Sequence, residues 1–161
     1  MVNQLAQVGP FRDLPLAALE GLSQQCSSAH RQAGEILYDS AEKVPPCVFL
    51  IVAGRVEILQ GQTKMALVAV GRASAGQLVG EFTALDGVRG HNLVRAIEAT
   101  QSVTIPQDVF RGLIEQHPPV ALNLLRDMIG IIRKLNDRMA LLAGTHAEFE
   151  RIRQDLFRFV V

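Results

Sequence analysis

The residues best suited to chemistry lie together in the segment LVGEFTALDGVRGHNLVRA, at positions 78–96. An acidic residue follows Gly80, and Arg89 lies between Gly87 and Gly90. Glycine lets the backbone approach a ligand closely, and an arginine supplies charge-assisted hydrogen bonds. The segment therefore predicts a cradle for a small anion. An ordinary strand, turn and strand is the alternative.

Patterns for nucleophilic or metal-dependent catalysis do not accompany this segment. The sequence contains no GxSxG, HxH, HExxH or GxxxxGK[ST]. Its four histidines, His30, His91, His117 and His146, are scattered singly, whereas a metal centre needs clustered ligands. A nucleophile would need a neighbouring base and an orienting group. We therefore expect neither an enzyme, nor a bound metal, nor a cofactor.

Composition narrows the class of protein. The chain has 161 residues, enough for one domain or for a domain with a long helix. Sixteen basic residues balance sixteen acidic ones, so no overall field favours nucleic acid or an anionic membrane. Cys26 and Cys47 are expected to be buried and reduced. The apolar runs are too short for a membrane span and the N-terminus lacks a signal peptide, which predicts a cytoplasmic protein.

The sequence around this segment indicates first a helix and then a series of short strands. Residues 10–29 carry leucines at helical spacing and predict a short amphipathic helix. Residues 31–105 contain short apolar stretches separated by glycines, such as EILY, CVFLIVAG, RVEILQ and SVTI. Short strands at roughly ten-residue spacing with such turns are typical of an antiparallel sandwich or barrel.

Helices follow the strands. PQDVFRGLIEQH predicts one helix, and a long helix then begins at the Pro118–Pro119 pair. Its apolar residues form two adjoining rows: Leu124, Met128, Ile131, Leu135 and Leu142, and beside them Leu125, Ile129, Ile132 and Met139. Two rows can cover two surfaces, which predicts a homodimer through this helix; the alternative is packing of both rows inside one monomer. The predicted domains are 1–117, 118–143 and a helical tail at 144–161, which could precede an output domain.

Several placed motifs together resemble one known family. These are AGE at 33–35, VAGRVEIL at 52–59, the G-x-x-x-GE that ends at Glu81, LVRA at 93–96, and the long helix that follows. Their order and spacing are similar to the cyclic nucleotide-binding domain of catabolite activator proteins and of protein kinase regulatory subunits. The resemblance implies an α+β fold: an antiparallel eight-stranded β-roll, which is a jelly-roll-like barrel, with short flanking helices and a long C-terminal helix.

The resemblance also implies a ligand and its contacts. In this family the segment that begins at G-E is the phosphate-binding cassette, here residues 79–92, and the ligand expected is cAMP or cGMP. Gly80 is then the close-approach glycine and Glu81 the acceptor for the ribose 2′-hydroxyl. The three following residues, Phe82, Thr83 and Ala84, open a short helix whose amides face the phosphate.

One departure from the family pattern affects the phosphate contact. The family usually has arginine, two small residues and then V-x-A, but aligning LVRA with that ending places Gly90 where the arginine belongs. Three accounts stay open. Arg89 reaches the phosphate from one residue earlier, His91 and Asn92 supply donors, or the pocket no longer binds cyclic nucleotides. Arg95 is expected to face outward.

The family also uses the long helix, whose residues close over the base and relay binding to an output. Asn136 is the candidate that could hydrogen-bond a purine edge. The function predicted is a sensor module whose ligand lies between the cassette and the long helix. The alternatives are a degenerate domain that acts in dimerisation or protein contacts without nucleotide, and the sensor fragment of a DNA-binding regulator. Too few residues follow the long helix for a DNA-binding domain, so no nucleic acid is expected to bind this chain alone.

Overall fold

The computed structural model describes residues 1–41, 45–61, 66–88 and 92–142. Its helices are α1 (Val2–Ala6), α2 (Leu16–Gln24), α3 (Glu81–Asp86), α4 (Gln107–Gln116) and α5 (Pro118–Leu142), with a 3₁₀ turn at Gly9–Phe11. Its strands are β1 (Ser27–Arg31), β2 (Ile36–Asp39), β3 (Cys47–Ala53), β4 (Arg55–Gln60), β5 (Val68–Ser74), β6 (Leu78–Val79), β7 (Asn92–Ala96) and β8 (Thr100–Pro106).

The strands form two four-stranded antiparallel sheets. One has the order β1-β8-β3-β6 and the other β2-β7-β4-β5. This arrangement, with short helices beside it and a long helix at the C-terminal end, confirms the predicted α+β roll.

Burial along the strands follows the sequence pattern. Residues 48–51 of β3 are all buried, and helices α3 and α4 contact this strand as well. In β4 the apolar Val56 and Leu59 are buried while the terminal Arg55 and Gln60 are exposed. Side chains from both sheets meet in one core cluster: Ile51, Val56, Ala73, Val79 and Val94. The apolar stretches therefore became strands because their side chains fill the space between the sheets.

The chain divides into two compact units, Met1–Asn123 and Leu124–Val161. The first contains the roll, helices α1 to α4 and the start of α5. Within it, Asn123 is 1% exposed and donates through its side-chain amide to Asp13 Oδ2 at 2.8 Å and to the carbonyl of Pro10 at 3.4 Å. The Arg12 guanidinium donates to Asn123 Oδ1 at 2.8 Å. These bonds join the N-terminal segment to the first turns of α5.

The second unit, as far as it is described, is the rest of α5. Three of its residues, Leu125, Ile129 and Ile132, are 47–53% exposed. No helix in the described part of the chain is both long enough and apolar enough to span a membrane. The predicted tail at 144–161 lies outside the described residues. The domain boundaries predicted at 117 and 143 stay predictions.

The two cysteines are free thiols, but they are half-buried and not fully buried as the sequence predicted. Burial raises the pKa of the Cys26 thiol to about 11. Burial and the nearby Asp108 carboxylate also raise the pKa of the Cys47 thiol. Both thiols are therefore neutral at physiological pH, which makes them poor nucleophiles.

Candidate functional site

The cassette begins at a glycine that no other residue could replace without strain. Gly80 has a φ of +94°, in the left-handed region, and is the N-cap of α3. A β-carbon at this position would lie 2.6 Å from the carbonyl oxygen of Cys47. The preceding residue, Val79, pairs with Phe49 on β3, which holds β6 against that strand. Glycine is required here because the backbone of Gly80 turns against β3; its predicted close approach to a ligand stays a prediction.

Helix α3 presents the first residues of the cassette. Glu81, Phe82 and Thr83 are its first three residues, so their amides have no partner inside the helix. The amide of Ala84 donates to the carbonyl of Gly80 at 3.0 Å. This bond closes the first turn of α3, and the Ala84 side chain is fully buried. The predicted ligand contact of Ala84 stays a prediction.

The side chains of α3 differ in exposure. Phe82 is 52% exposed, whereas Glu81 and Thr83 are half-buried. Glu81 also makes an interaction within the protein. The carboxylate to which the family resemblance gives a ribose contact thus lies at the start of a helix, where the helix dipole stabilises negative charge.

A second contact supports α3 from outside the cassette. The side-chain amide of Gln107 donates to the carbonyl of Ala84 at 2.9 Å. The backbone amide of Gln107 donates to the carbonyl of Pro46 at 3.2 Å, just before β3. The start of α4 therefore ties α3 to the entrance of β3. Nothing in the local sequence around Gln107 predicted this role.

The cassette helix ends at a second glycine. Gly87 has a φ of +73° and its amide donates to the carbonyl of Thr83 at 3.0 Å. The amide of Val88 then donates to Asp86 Oδ1 at 2.8 Å. Arg89, Gly90 and His91 follow and lie outside the described residues. The predicted phosphate contacts of Arg89 and His91 stay predictions.

The cassette ends where β7 begins, and Ser40 holds this end. The amide of Asn92 donates to the Ser40 hydroxyl at 2.8 Å, and the amide of Ser40 donates to the carbonyl of Asn92 at 2.9 Å. Asn92 lies on the same face of β7 as Val94, which belongs to the core. Its half-buried side chain therefore belongs to the row that faces the interior of the roll.

The strand that follows has the register expected from its V-x-A ending. Val94 and Ala96 are buried, while Arg95 is exposed and makes an ion pair with Glu57 at 2.6 Å. The prediction that Arg95 faces outward is confirmed. Arg95 is therefore not available to replace the arginine missing at position 90.

A buried hydroxyl near both ends of the cassette was missed by the sequence analysis. Tyr38 pairs with Val94 across β2 and β7, and its ring lies 6.2 Å from that of Phe49. Its hydroxyl is buried and has no hydrogen-bond partner among the described residues. Buried hydroxyls are normally paired, so this group is a candidate to contact a ligand. The sequence does not show whether the hydroxyl of a tyrosine in a strand will be buried without a hydrogen-bond partner.

A match to a family model identifies the family of this chain. The model named cyclic nucleotide-binding domain matches residues 29–117, which is more than half of the chain. The chain belongs to the cyclic nucleotide-binding domain family. The match spans β2 to β8 and the cassette helix, so the resemblance drawn from the sequence is confirmed.

Solved structures share the fold of this cyclic nucleotide-binding domain. The catabolite activator protein of Thermus thermophilus is 19% identical, with a TM-score of 0.65 over 84% of this chain and 63% of that one. The regulatory subunit of a cAMP-independent protein kinase A from Trypanosoma cruzi, bound to guanosine, is 18% identical, with a TM-score of 0.64 over 98% of this chain and 49% of that one. At such identities the likeness concerns the fold.

A curated relative is a much larger protein. Lysophospholipase NTE1 of Pyricularia oryzae is 21% identical over 112 residues, which are 70% of this chain and 7% of that protein. The chain thus spans only a small part of the curated relatives that it matches. It also spans less than two thirds of the Thermus protein.

Two further predictions concern regions away from the cassette. Asn136 lies on α5 in the second unit and is exposed, so its predicted purine contact stays a prediction. Within residues 1–41, 45–61, 66–88 and 92–142, no group of three or more His, Cys, Asp or Glu side chains is placed to hold a metal ion.

Proposed function

We propose that this domain is a regulatory sensor that binds a cyclic nucleotide, cAMP or cGMP, inside the β-roll. The observation that carries the proposal is the left-handed turn at Gly80 on the carbonyl of Cys47, which sets Glu81 at the first position of α3. Family membership supplies the class of ligand. The proposal is regulatory and not catalytic.

The contacts proposed follow from the donors and acceptors at the site. Glu81 accepts from the ribose 2′-hydroxyl, and the amides of Phe82 and Thr83 donate to the cyclic phosphate. Arg89 supplies the positive charge that Gly90 lacks, with His91 and Asn92 as further donors. The hydroxyl of Tyr38 becomes paired when the ligand enters.

Binding is proposed to act on helix α5. A ligand shifts a conformational equilibrium only by as much as it binds one state better than the other. We expect nucleotide to change hydrogen exchange of the α5 amides as well as those of α3. If hydrogen exchange changes only in α3, the domain binds nucleotide but does not transmit binding to α5.

Calorimetric titration with cAMP and cGMP tests the proposal. Glu81→Gln should weaken binding about ten- to a hundredfold, because a hydrogen bond to a charged group contributes about 1.5–3 kcal/mol. Glu115→Gln, at an exposed position on α4, is the matched control and should bind as the native domain does. If saturating ligand produces no heat and no shift in the melting temperature, nucleotide binding is ruled out.

A second candidate function follows from Gly90. Without the usual arginine, the site could accept a ligand that has no cyclic phosphate, or the domain could act only in dimerisation or protein contacts. The Trypanosoma cruzi relative is described as bound to guanosine. Adding guanosine to the titration separates these candidates: saturable binding of guanosine without binding of cAMP or cGMP would favour the second. Membership of a longer DNA-binding regulator, a dimeric state and a cytoplasmic location stay predictions.

A further inference from the structure

The carbonyl of Ala84 lacks the partner that a longer helix would give it. In a continued α-helix this oxygen would accept from the amide of Val88, four residues later. Helix α3 ends at Asp86 instead, and the amide of Val88 donates to Asp86 Oδ1 at 2.8 Å. Ala84 is 0% exposed, so its carbonyl is shielded from water. A buried carbonyl at the end of a helix needs a partner from another part of the chain.

Gln107, the first residue of α4, supplies that partner. Its side-chain amide donates to the carbonyl of Ala84 at 2.9 Å, and the Gln107 side chain is half-buried. Removing this donor would leave a buried acceptor unpaired, which costs more than the hydrogen bond itself contributes. Gln107 therefore caps the C-terminal end of α3 from 23 positions away.

This hydrogen bond completes a ring of contacts around the start of α3. The backbone amide of Gln107 donates to the carbonyl of Pro46 at 3.2 Å, and the carbonyl of the next residue, Cys47, lies against Gly80. The carbonyl of Gly80 accepts from the amide of Ala84 at 3.0 Å, and the carbonyl of Ala84 accepts from the side chain of Gln107. The other hydrogen bonds of the ring join backbone groups, so the side chain of Gln107 is the part of the ring that a substitution can remove.

The proposed ligand contacts lie inside this ring. Glu81, Phe82 and Thr83 stand between the two residues that the ring holds, Gly80 and Ala84. Helix α3 has six residues, and a helix of that length is not stable without tertiary contacts. A site binds more tightly when its groups are held in the bound geometry before the ligand arrives. The affinity of the cassette should therefore depend on how firmly α3 is held.

We infer that Gln107 is a positioning residue for the cassette: its side chain holds α3 against α4 and the start of β3, and so fixes the proposed ligand contacts without touching the ligand. This inference rests on the proposed nucleotide binding and deepens it by naming a residue outside the cassette that sets affinity. Its first consequence does not require a ligand, because α3 should lose order when the donor is removed.

Two substitutions separate the hydrogen bond from the stability of α4 itself. Gln107→Glu keeps the size of the side chain, but a carboxylate cannot donate to a carbonyl. Gln107→Lys keeps a donor of a different kind. At the first position of α4, the helix dipole favours the glutamate and disfavours the lysine. If the glutamate loosens α3 and the lysine does not, the cause is the bond to Ala84 and not the stability of α4.

Hydrogen exchange of the ligand-free full chain is the first test. Gln107→Ala and Gln107→Glu should speed exchange of the Ala84 and Gly87 amides, which close the turns of α3, about two- to tenfold. Exchange in β8 should not change, and Gln107→Lys should behave as the native chain does. Gln116→Ala is the matched control, because Gln116 is an exposed glutamine on the same helix. Native exchange rates of α3 in Gln107→Ala and Gln107→Glu overturn the inference.

Calorimetric titration with cAMP and cGMP is the second test. Gln107→Ala should bind about two- to tenfold more weakly than the native chain, whereas Gln107→Lys and Gln116→Ala should retain native affinity. Faster exchange of α3 with unchanged affinity overturns the positioning role. If the native chain binds neither nucleotide, the proposed function fails, and the exchange rates alone confirm or overturn the ordering of α3 by Gln107.

Discussion

The carbonyl oxygen of Cys47 occupies the space in which a side chain of Gly80 would begin. A β-carbon on Gly80 would lie 2.6 Å from that oxygen, and the φ of +94° is one that L-amino acids with side chains avoid. Because Val79 pairs with Phe49, the turn is held against β3 by backbone contacts. The position of Glu81 at the start of α3 therefore depends on the backbone conformation of Gly80.

Replacing Gly80 should lower the free energy of unfolding of the domain. Gly80→Ala is expected to lower the free energy of unfolding by about 2 kcal/mol or more, from left-handed strain and the clash with Cys47. Gly76→Ala is the matched control, because Gly76 has a φ of +84° but no atom within 4 Å of its β-carbon. It should lose only about 1–2 kcal/mol. Urea denaturation measures both, and equal losses would show that the Cys47 contact is unimportant.

The charge at position 89 should matter only for ligands with a phosphate. Arg89→Ala is expected to weaken cAMP binding about ten- to a hundredfold, the loss of one charge-assisted contact. Binding of adenosine should be unchanged. Arg95→Ala is the control, because Arg95 is exposed and paired with Glu57. Calorimetry checks all three, and unchanged cAMP affinity in Arg89→Ala would reject the compensation for Gly90.

The orphaned hydroxyl of Tyr38 gives opposite expectations for the free and bound domain. Tyr38→Phe should leave the unfolding free energy of the ligand-free protein unchanged or raise it by up to about 1 kcal/mol, because no hydrogen bond is lost. The same change should weaken nucleotide binding severalfold if the ligand pairs with the hydroxyl. Chemical denaturation and calorimetry make the comparison. A clear loss of stability without ligand would mean that the hydroxyl already has a partner.

The buried amide of Asn123 should contribute to the stability of the N-terminal packing. Asn123→Ala removes its bonds to Asp13, Pro10 and Arg12, and is expected to cost about 1–3 kcal/mol. Asn3→Ala, at an exposed position of α1, is the control and should change stability by less than about 0.5 kcal/mol. The midpoint of urea unfolding reports both. Similar midpoints for the two variants would contradict the assignment.

The sequence by itself predicted most of the strands and the later helices, but it extended the first helix over residues 10–29, whereas α2 covers Leu16–Gln24 and β1 begins at Ser27. Apolar runs and glycine turns act within a few residues, so antiparallel strands and the outward Arg95 could be predicted from them. The family resemblance implied the roll and the cassette at Gly80, whose ligand contacts stay predictions. The prediction of full burial for the two cysteines was also wrong, since they are half-buried. The bounds of the first helix were missed because local sequence specifies helix boundaries poorly.

Only the tertiary structure decided which distant residues meet. Gln107 supports Ala84 across 23 positions and Arg12 reaches Asn123 across 111 positions. The buried hydroxyl of Tyr38 likewise depends on how β2, β3 and β7 close around it. Hydrogen bonds of this kind arise when the fold brings polar groups together and excludes water from them. No periodicity in the sequence indicates these hydrogen bonds, because tertiary packing and not the neighbouring residues determines their partners.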